Sequence, residues 1–489
     1  MSKVYLIGGG PGSEELITLR AIKALKKCTA IMYDRLSGEG ILKYVNSDAS
    51  IYYCGKEPGS HYKTQDEINE MLITLSKEGH TVGRIKGGDP YIFGRGGEEA
   101  LALLKENIDF EVIPGITSPI SVLNYAGIPV THRKIAQSFH VFTGKSVDKL
   151  NLDFSVIAKL KGTLIFMMSF ENLERITSEL INNGMDENTP AAVVMRGTTS
   201  KQKKAIGNIK NIGTLALEKG LSNPSIIVVG EVVNFHDKLN WFEKKPLYGR
   251  NICVTRTKEQ SEEISEKLKD LGAEVTEINS IKIKETKSKL TPFLHKLKDY
   301  QYIVMSSVNA ANIFFDALME NNIDVRSITA KFVTIGPASD KAVRSRGIIP
   351  HLTANEFVSE KLFEAMEPIL NQGDKILLPR SKSGRPFMVE ALTKASCEVD
   401  DCHIYETVLG ENNNLAQFKE ADTVIFTSPS TVKNMITLVG LEAIKEKKVI
   451  SIGPITSKEL DNNNITYEQC NESSNEGIVR NLLEHRNLL

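Results

Sequence analysis

The chain has 489 residues, 41% of them apolar, and its 60 Lys and Arg residues nearly balance its 61 Asp and Glu residues. At about 150 residues per domain this length predicts roughly three compact units, and the balanced charge argues against general attraction to nucleic acid or to a membrane surface. The six cysteines show no CxxC pair and no zinc-ligand spacing, so we expect reduced thiols, no disulfide framework and no metal site. The N-terminus, MSKVYLIGGG, lacks a secretory leader, and no apolar run reaches about 18 residues, so the sequence predicts a cytoplasmic protein.

The first half alternates short β-like runs with amphipathic helical stretches, the pattern of an α/β fold. The predicted strands are KVYLIG, AIMYD, VGRIK, FEVIPG, HVFTG, TLIFMM, AAVVM and SIIVVGEVV. Helical periodicity predicts helices from Ile17 to Cys28 and from Glu67 to Lys77. The segment 240–249 interrupts this pattern with the only tryptophan, a charged patch, a proline and a glycine, and we place the main domain boundary there.

Within the first half, the segment VGRIKGGDPYIFGRGGEE (82–99) contains five glycines in eleven positions. Glycine adds no side chain to a core and loses more entropy on folding than any other residue, so this cluster predicts backbone that closely approaches a bound molecule. A plain strand-to-helix turn is the alternative. This segment alone leaves both interpretations open.

A second glycine-rich segment, GGGPGS (8–13), follows the first predicted strand and partly matches a dinucleotide-binding fingerprint, with Asp34 as the ribose-binding acid. Ser13 replaces the last glycine of that fingerprint, and Pro11 removes a backbone donor from the loop. A nicotinamide-dependent oxidoreductase with a non-catalytic, anion-binding second half is therefore the rival interpretation.

The second half begins as fresh α/β sequence at Arg250, with the strand NICVTRT, a helix over 259–271 and Gly272 as its C-terminal cap. It also repeats itself, because IVMSSVNAANIF and FVTIGPASDKAV correspond to VIFTSPSTVKNM and VISIGPITSKEL. Two related lobes are implied. The hydroxyl residues after each strand suit helix capping and also the binding of an anionic ligand at the strand ends, and both remain open.

Motifs that occur in order over roughly residues 3 to 235 closely resemble those of uroporphyrinogen-III C-methyltransferases. They are GGGPGSEELITLRA, YDRL, CGK, GRIKGGDPYIFGRGGEE, PGITS, YAGIPVTHR, FMMS, RGT and VVGEVV. The second half is similar to uroporphyrinogen-III synthases through its duplicated units, LLPRSKSGRPFMVEAL and the HIYET strand. The resemblance implies a tetrapyrrole methyltransferase fold of two α/β lobes over 1–243, then a two-lobed synthase-like α/β module over 247–489. Its first lobe would comprise 247–280 and 409–489, and its second lobe 281–408.

The resemblance implies a bifunctional enzyme that closes hydroxymethylbilane to uroporphyrinogen III with ring inversion, and then methylates this tetrapyrrole twice to precorrin-2. The implied methyl donor is S-adenosylmethionine, whose methyl is already activated, so the protein mainly aligns the reactants and needs no metal. Relatives of the first half are typically homodimers, which implies a homodimer through the methyltransferase domain. Because the chain starts at the methyltransferase strand, without the oxidase and chelatase module of sirohaem synthases, we expect precorrin-2 to be its end product.

For the methyltransferase half, the resemblance implies Asp34 as proton acceptor and Lys56 as proton donor. C-methylation leaves a cationic macrocycle that must lose a proton to a nearby base, whereas an Asp34–Arg35 ion pair and a solvated Lys56 are the structural alternatives. The implied donor pocket comprises Pro11, Gly87, Gly88, Asp89, Ile92, Thr117, Ser118, Met168 and Gly197. The substrate carries eight carboxylates, for which the candidate ligands are Arg35, Arg95, His132 and Arg133.

For the synthase half, the resemblance implies that Tyr405 is a catalytic residue that assists departure of the substrate hydroxyl. The alternative for this residue is an aromatic side chain that fills the junction between the lobes. Ser307, Ser428 and Thr456 are candidate hydrogen-bonding residues for the substrate, with helix capping as the competing explanation.

Overall fold

The computed structural model describes residues 3–34, 39–46, 48–55, 63–144, 152–256, 258–354, 359–410 and 415–484. They form two compact units. The N-terminal unit contains most of the first 251 residues together with 268–274, and the C-terminal unit contains 252–267 and 275–484. No helix in the described ranges is both long enough and apolar enough to cross a membrane.

The first sheet of the N-terminal unit is parallel and five-stranded. Its strands, in the order β3-β2-β4-β1-β5, are β1 (Val4–Gly8), β2 (Ala30–Tyr33), β3 (Ser50–Tyr53), β4 (Val82–Lys86) and β5 (Phe110–Ile113). Its helices are α1 (Leu19–Leu25), α2 (Gln65–Lys77), α3 (Gly96–Lys105) and α4 (Ser118–Tyr125). Val4 and Leu6 pack into one hydrophobic cluster and Ile7 into another, so both faces of the central strand are covered, as in other parallel sheets.

The second sheet of this unit is mixed. Its strands, in the order β6-β7-β10-β8-β9, are β6 (Phe139–Thr143), β7 (Thr163–Met167), β8 (Pro190–Met195), β9 (Lys203–Asn208) and β10 (Ser225–Val229). β6 and β7 are parallel, whereas β10 is antiparallel to both of its neighbours. The helices of this lobe are α5 (Phe154–Ile157), α6 (Leu173–Asn182) and α7 (Ile212–Glu218).

The C-terminal unit also contains two sheets. Its strands are β11 (Asn251–Val254), β12 (Glu274–Glu277), β13 (Ile281–Glu285), β14 (Tyr302–Met305), β15 (Lys331–Ile335), β16 (Leu352–Ala354), β17 (Lys375–Ser381), β18 (Glu398–Leu409), β19 (Thr423–Phe426), β20 (Lys448–Ser451) and β21 (Glu468–Gln469). The sheet orders are β12-β11-β19-β20-β21 and β13-β18-β17-β14-β15-β16. Its helices are α8 (Lys258–Asp270), α9 (Thr291–Leu294), α10 (Val308–Glu320), α11 (Gly336–Ser345), α12 (Ser359–Met366), α13 (Phe387–Lys394), α14 (Pro429–Val439), α15 (Leu441–Lys445), α16 (Pro454–Asn462) and α17 (Asn475–Glu484).

The predicted α/β class is confirmed in both units. The internal repeat of the second half also has a structural counterpart, because β14-α10-β15-α11 and β19-α14-β20-α16 are equivalent units in separate sheets. Each repeat places two adjacent parallel strands side by side. The second half therefore has two related lobes, each built around one copy of the repeat.

Several element predictions were wrong in detail. The helix predicted over Ile17–Cys28 is shorter, because the Thr18 side chain caps it by accepting a hydrogen bond from the Ala21 N–H at 3.2 Å. Strand β10 ends at Val229, and Glu231–Phe235 forms a 3-10 turn. The sequence patterns missed β3 and β9, which lie at sheet edges. β9 lacks a continuous apolar run, whereas β3 contains the short run IYY that was not recognised as a strand.

Three glycine-containing segments pack against one another at the carboxyl ends of β1, β4 and β5. They are Gly8–Gly10, Gly87–Gly88 and Gly115, and we call them the glycine cradle. Gly10 and Gly88 exchange two backbone hydrogen bonds, of 3.2 and 2.7 Å. A Cβ atom on Gly8 would lie 2.4 Å from the Gly115 nitrogen. Backbone packs directly on backbone here, so part of the glycine requirement comes from the fold itself and not from a bound molecule.

From the close packing of the cradle we expect Gly115→Ala to destabilise the N-terminal unit. The added methyl group would lie 2.2 Å from the carbonyl oxygen of Gly88 and 2.7 Å from the Cα of Gly8, and overpacking of this kind costs about 1–3 kcal/mol. Calorimetric unfolding measures the effect. The matched control is Gly97→Ala, which has no atom within 4 Å of the new Cβ and replaces glycine by a better helix former. Equal unfolding temperatures for the two variants would contradict this packing.

Candidate active sites

The carboxylate of Asp89 holds two loops of the cradle region in place. Its Oδ2 accepts a hydrogen bond from the Gly115 N–H at 3.1 Å, and its Oδ1 accepts one from the Tyr91 N–H at 2.8 Å. Both carboxylate oxygens are thus used within the protein. Asp89, predicted as a donor-pocket residue, shapes the loops that surround the cradle.

Thr117 and Ser118 lie next to the cradle at the beginning of α4. A Cβ atom on Gly88 would be 3.8 Å from the Thr117 Cα and 3.9 Å from the Ser118 nitrogen. Thr117 occupies the N-cap position, but its side chain makes no capping hydrogen bond. Within the described ranges neither hydroxyl is bonded to another residue, which leaves both available to a ligand.

The loop that contains Pro11 joins the cradle to the second lobe of the N-terminal unit. The Ser13 N–H donates a hydrogen bond of 3.1 Å to the Thr198 hydroxyl. A Cβ atom on Gly197 would lie 2.4 Å from Val122 of α4. A Cβ atom on Gly12 would lie 3.4 Å from the Gly197 carbonyl oxygen, so Gly197 contacts both α4 and the loop that contains Pro11.

Five non-glycine residues near the predicted site motifs have a left-handed backbone: Phe93, Arg95, Met168, Arg196 and Thr198. This conformation costs free energy and tends to persist at functional sites. Met168 has a φ of +53° and is 40% exposed, so it is not a core methionine. Ile92 is similarly exposed, at 41%. Both side chains present apolar surface to solvent, as a purine-binding residue requires.

Asp34 directly follows β2, and its side chain is 28% exposed. Its Oδ2 accepts a hydrogen bond from Nη2 of Arg84 at 3.4 Å. Arg84 was not singled out from the sequence, where it is one residue of an apolar strand. Lys56 and Arg35, the other predicted residues of this region, lie outside the described residues.

The remaining candidate ligands of the substrate carboxylates differ in their availability. The Arg95 guanidinium makes two hydrogen bonds to Glu98, of 2.8 and 2.7 Å, so a substrate carboxylate must compete with Glu98. The His132 ring stacks on Phe235 with centroids 4.9 Å apart. Arg133 is exposed.

The local geometry does not suit a dinucleotide. In a dinucleotide-binding fingerprint the helix opens directly after the glycine loop and its N-terminus holds the pyrophosphate. Here a 3-10 turn (Glu14–Leu16) intervenes, and α1 begins only at Leu19. The Gly9 and Gly10 N–H groups already bond to the backbone of the 86–88 segment. The rival nicotinamide interpretation thus lacks its phosphate site.

In the C-terminal unit, Tyr405 on β18 lies against the first repeat. Its hydroxyl is 2.9 Å from the Ser307 hydroxyl, and only 6% of the residue is exposed. Burial raises the pKa of Tyr405, so the phenol keeps its proton at neutral pH and remains a hydrogen-bond donor. Ser307 caps α10 by accepting a hydrogen bond from the Ala310 N–H at 3.1 Å.

The capping explanation also applies to Ser428, the equivalent residue of the second repeat. Ser428 and Thr431 form a reciprocal capping box at the beginning of α14. Thr456 is 3% exposed within α16. Ser307 differs from Ser428, its counterpart in the second repeat, by its contact with Tyr405.

Sequence reasoning missed Arg256, which directly follows β11 in the segment NICVTRT. Its Nη1 donates a hydrogen bond of 2.9 Å to Asn475, and no ion pair joins it to a carboxylate of the described residues. Burial lowers the pKa of this guanidinium. β11 pairs in parallel with β19, so Arg256 and Ser428 both lie just beyond the carboxyl ends of two neighbouring strands. A single arginine near the end of the predicted strand NICVTRT was the sequence signal that could have identified this residue.

No group of three or more His, Cys, Asp or Glu side chains is placed to hold a metal ion in the described part of the chain. The six cysteines are buried and free of disulfides. Burial raises the pKa of Cys28 to about 12, which keeps this thiol protonated and unreactive.

Each half of the chain matches a known protein family. Residues 3–213 match the family of tetrapyrrole (corrin/porphyrin) methylases, and residues 262–480 match uroporphyrinogen-III synthase HemD. The porphyrin biosynthesis protein HemD of Ruminiclostridium josui is 35% identical over 98% of this chain and 97% of its own length. An S-adenosyl-L-methionine-dependent uroporphyrinogen III methyltransferase of Methanosarcina barkeri is 47% identical over 48% of this chain and 94% of its own length.

Among solved structures, the uroporphyrin-III C-methyltransferase of Thermus thermophilus in complex with S-adenosyl homocysteine is 34% identical. It covers 48% of this chain and 99% of its own chain, with a TM-score of 0.41. The rival oxidoreductase interpretation has no support from these comparisons. The chain belongs to the family of tetrapyrrole-biosynthesis enzymes that join a uroporphyrinogen-III C-methyltransferase to a uroporphyrinogen-III synthase.

Proposed function

We propose that this chain converts hydroxymethylbilane to uroporphyrinogen III and then transfers two methyl groups from S-adenosylmethionine to it, giving precorrin-2. The supporting observation is that Thr117–Ser118 and the loop with Pro11 adjoin the glycine cradle, while Gly197 contacts both that loop and α4. Main-chain groups and unbonded hydroxyls at strand ends suit a nucleoside with an amino-acid tail. The methyl of the bound sulfonium needs alignment with a nucleophilic carbon and no further activation, so we expect no metal requirement.

Domain limits, assembly and location are part of the same proposal. We infer a methyltransferase domain over 1–243 and a synthase domain over 247–489, with lobes 247–280 plus 409–489 and 281–408, acting in the cytoplasm on small-molecule substrates. We also infer a homodimer through the first domain, since Leu101 and Leu104 of α3 are each 61% exposed. A sedimentation mass of one chain would contradict the dimer.

Asp34 is the proposed base for the methyltransferase half. Each C-methylation gives the macrocycle a positive charge that is relieved when a proton leaves for a carboxylate. Asp34 is partly exposed and directly follows β2 of the first sheet. The buried Arg84 donates a hydrogen bond to its carboxylate. Lys56 and Arg35 keep their proposed roles as proton donor and carboxylate ligand.

Asp34→Asn is expected to lower methyl transfer to uroporphyrinogen III about 100-fold or more, because an amide does not accept the proton. Transfer of labelled methyl groups from S-adenosylmethionine measures this step. The synthase activity of the same chain is the internal control, since isomer III formation from hydroxymethylbilane should be unchanged. Loss of both activities would indicate misfolding, and full methyl transfer would remove Asp34 from the mechanism.

In the synthase half, Tyr405 is the proposed donor to the departing hydroxyl, and Ser307 holds its phenol. Tyr405→Phe should slow formation of isomer III about 100-fold, because the departing oxygen loses its hydrogen-bond donor, while methyl transfer remains normal. Tyr467→Phe is the matched control, since that hydroxyl bonds only to Asp461, at 3.2 Å on the surface, in the described structure. Unchanged synthase turnover in Tyr405→Phe would exclude the tyrosine.

Arg256 is the proposed anchor for a carboxylate of the bilane. A charged hydrogen bond contributes about 1.5–3 kcal/mol, so Arg256→Gln should raise the KM for hydroxymethylbilane about tenfold or more. Arg480→Gln is the control, because Arg480 makes an exposed ion pair with Glu472 at 3.1 Å. If both variants bind the bilane as the wild type does, Arg256 has only a structural role.

A further inference from the structure

Behind Asp34 lies a buried charged cluster that, apart from the contact of Arg84 with Asp34, has no role in the proposed mechanism. Arg84 and Lys86 of β4 are each 4% exposed, and Glu99 of α3 is fully buried. Arg84 and Lys86 are two residues apart on a strand and so point to the same face of the sheet, where α3 brings Glu99 to them. We call these three residues the Glu99 cluster.

Glu99 is the hub of this cluster. Its Oε1 accepts hydrogen bonds from Lys86 Nζ at 2.6 Å, from Arg84 Nε at 3.2 Å and from Gln65 Nε2 at 3.3 Å. Its Oε2 is buried and has no hydrogen-bond partner in the described structure. In a protein interior, burial of a carboxylate costs free energy when one oxygen accepts three hydrogen bonds and the other accepts none.

The charges of the cluster do not balance by themselves. Two cations face one carboxylate, and burial lowers the pKa of Lys86. Apolar residues of similar volume often stabilise a fold as well as a buried ion pair does. Packing alone therefore does not account for the cluster, and its excess positive charge faces Asp34.

Arg84 connects the cluster to Asp34. Nε of its guanidinium bonds to Glu99, Nη1 donates to the Ile85 carbonyl at 3.0 Å, and Nη2 donates to Asp34 at 3.4 Å. The planar fork of the guanidinium fixes the direction of the third bond once the first two are made. Because Arg84 is almost completely buried, it contacts the Asp34 carboxylate and not a substrate.

We propose that Glu99, Arg84 and Lys86 are positioning residues for methyl transfer, which hold the Asp34 carboxylate in the orientation that accepts the proton. This inference rests on the proposed role of Asp34 as the base. Asp34 also lies within electrostatic range of Cys54, which in turn is within range of Lys63. Burial raises the pKa of Cys54, so this thiol adds no charge at neutral pH.

Glu99→Gln tests the proposal, because it keeps the shape of the side chain and removes its charge. We expect kcat for methyl transfer to uroporphyrinogen III to fall about 100-fold, the effect of a misplacement of about 1 Å. The Kd of S-adenosylmethionine, measured by calorimetry, should stay within about twofold of the wild-type value, since Glu99 does not line the cradle. Loss of the anion also leaves more positive charge beside Asp34, so the acidic limb of the pH profile of kcat should move to lower pH.

A second variant covers the case in which two unbalanced buried cations prevent folding. Lys86→Met with Glu99→Gln removes one charge of each sign and leaves Arg84 as the net positive charge. We expect this variant to bind the donor normally and to keep the acidic limb at its wild-type pH, with kcat reduced about tenfold because a neutral amide holds Arg84 less firmly. Glu106→Gln is the matched control at the end of the same helix, because in the described structure Glu106 makes only an exposed ion pair with Lys77, at 2.6 Å.

Wild-type kcat in either folded variant would overturn the proposal, and so would a fall in kcat matched by an equal loss of donor affinity. Asp34→Asn, assayed in parallel, separates this inference from the one it rests on. Full activity in Asp34→Asn would remove the proposed base. An inactive Asp34→Asn together with a normal Glu99→Gln would leave the base in place and refute only its positioning by the cluster.

Discussion

The packing of backbone against backbone in the glycine cradle is the constraint on which the first half of this protein depends. Loops from three parallel strands come close enough that a single Cβ on Gly8 or Gly115 would overlap main-chain atoms. This closeness brings the beginning of α4 and the Gly197 segment to one place. The proposed donor pocket would therefore consist mainly of main chain, because there is little room for larger side chains.

Electrostatics has a different role in each half. In the methyltransferase half, buried charges lie behind the partly exposed Asp34, where they act on a carboxylate and not on the substrate. In the synthase half, the notable groups are a buried phenol hydrogen-bonded to a helix-capping serine and an arginine at a strand end. That arrangement fits a reaction in which a flexible, acidic chain must be held in one conformation before its ends join.

Much of this architecture was predictable from sequence. Continuous apolar runs located the buried strands, and the duplicated strand-hydroxyl-helix units predicted two related lobes, because both signals arise from burial and from helix capping. The edge strand β9 was missed because it has no continuous apolar run, whereas the short apolar run of β3 was not recognised as a strand. The Glu99 cluster was missed for a related reason: Arg84 and Lys86 look like polar interruptions of a strand, and Glu99 looks like a favourable acid in the first turn of a helix. Only the fold shows that these three side chains meet.

The central proposal is that one chain both closes the bilane with ring inversion and methylates the product. The most direct test supplies the purified chain with hydroxymethylbilane and methyl-labelled S-adenosylmethionine, followed by analysis of the isomer and the label content of the tetrapyrrole. We expect an isomer III skeleton that carries two labelled methyl groups. An isomer I product, or isomer III without label, would contradict it.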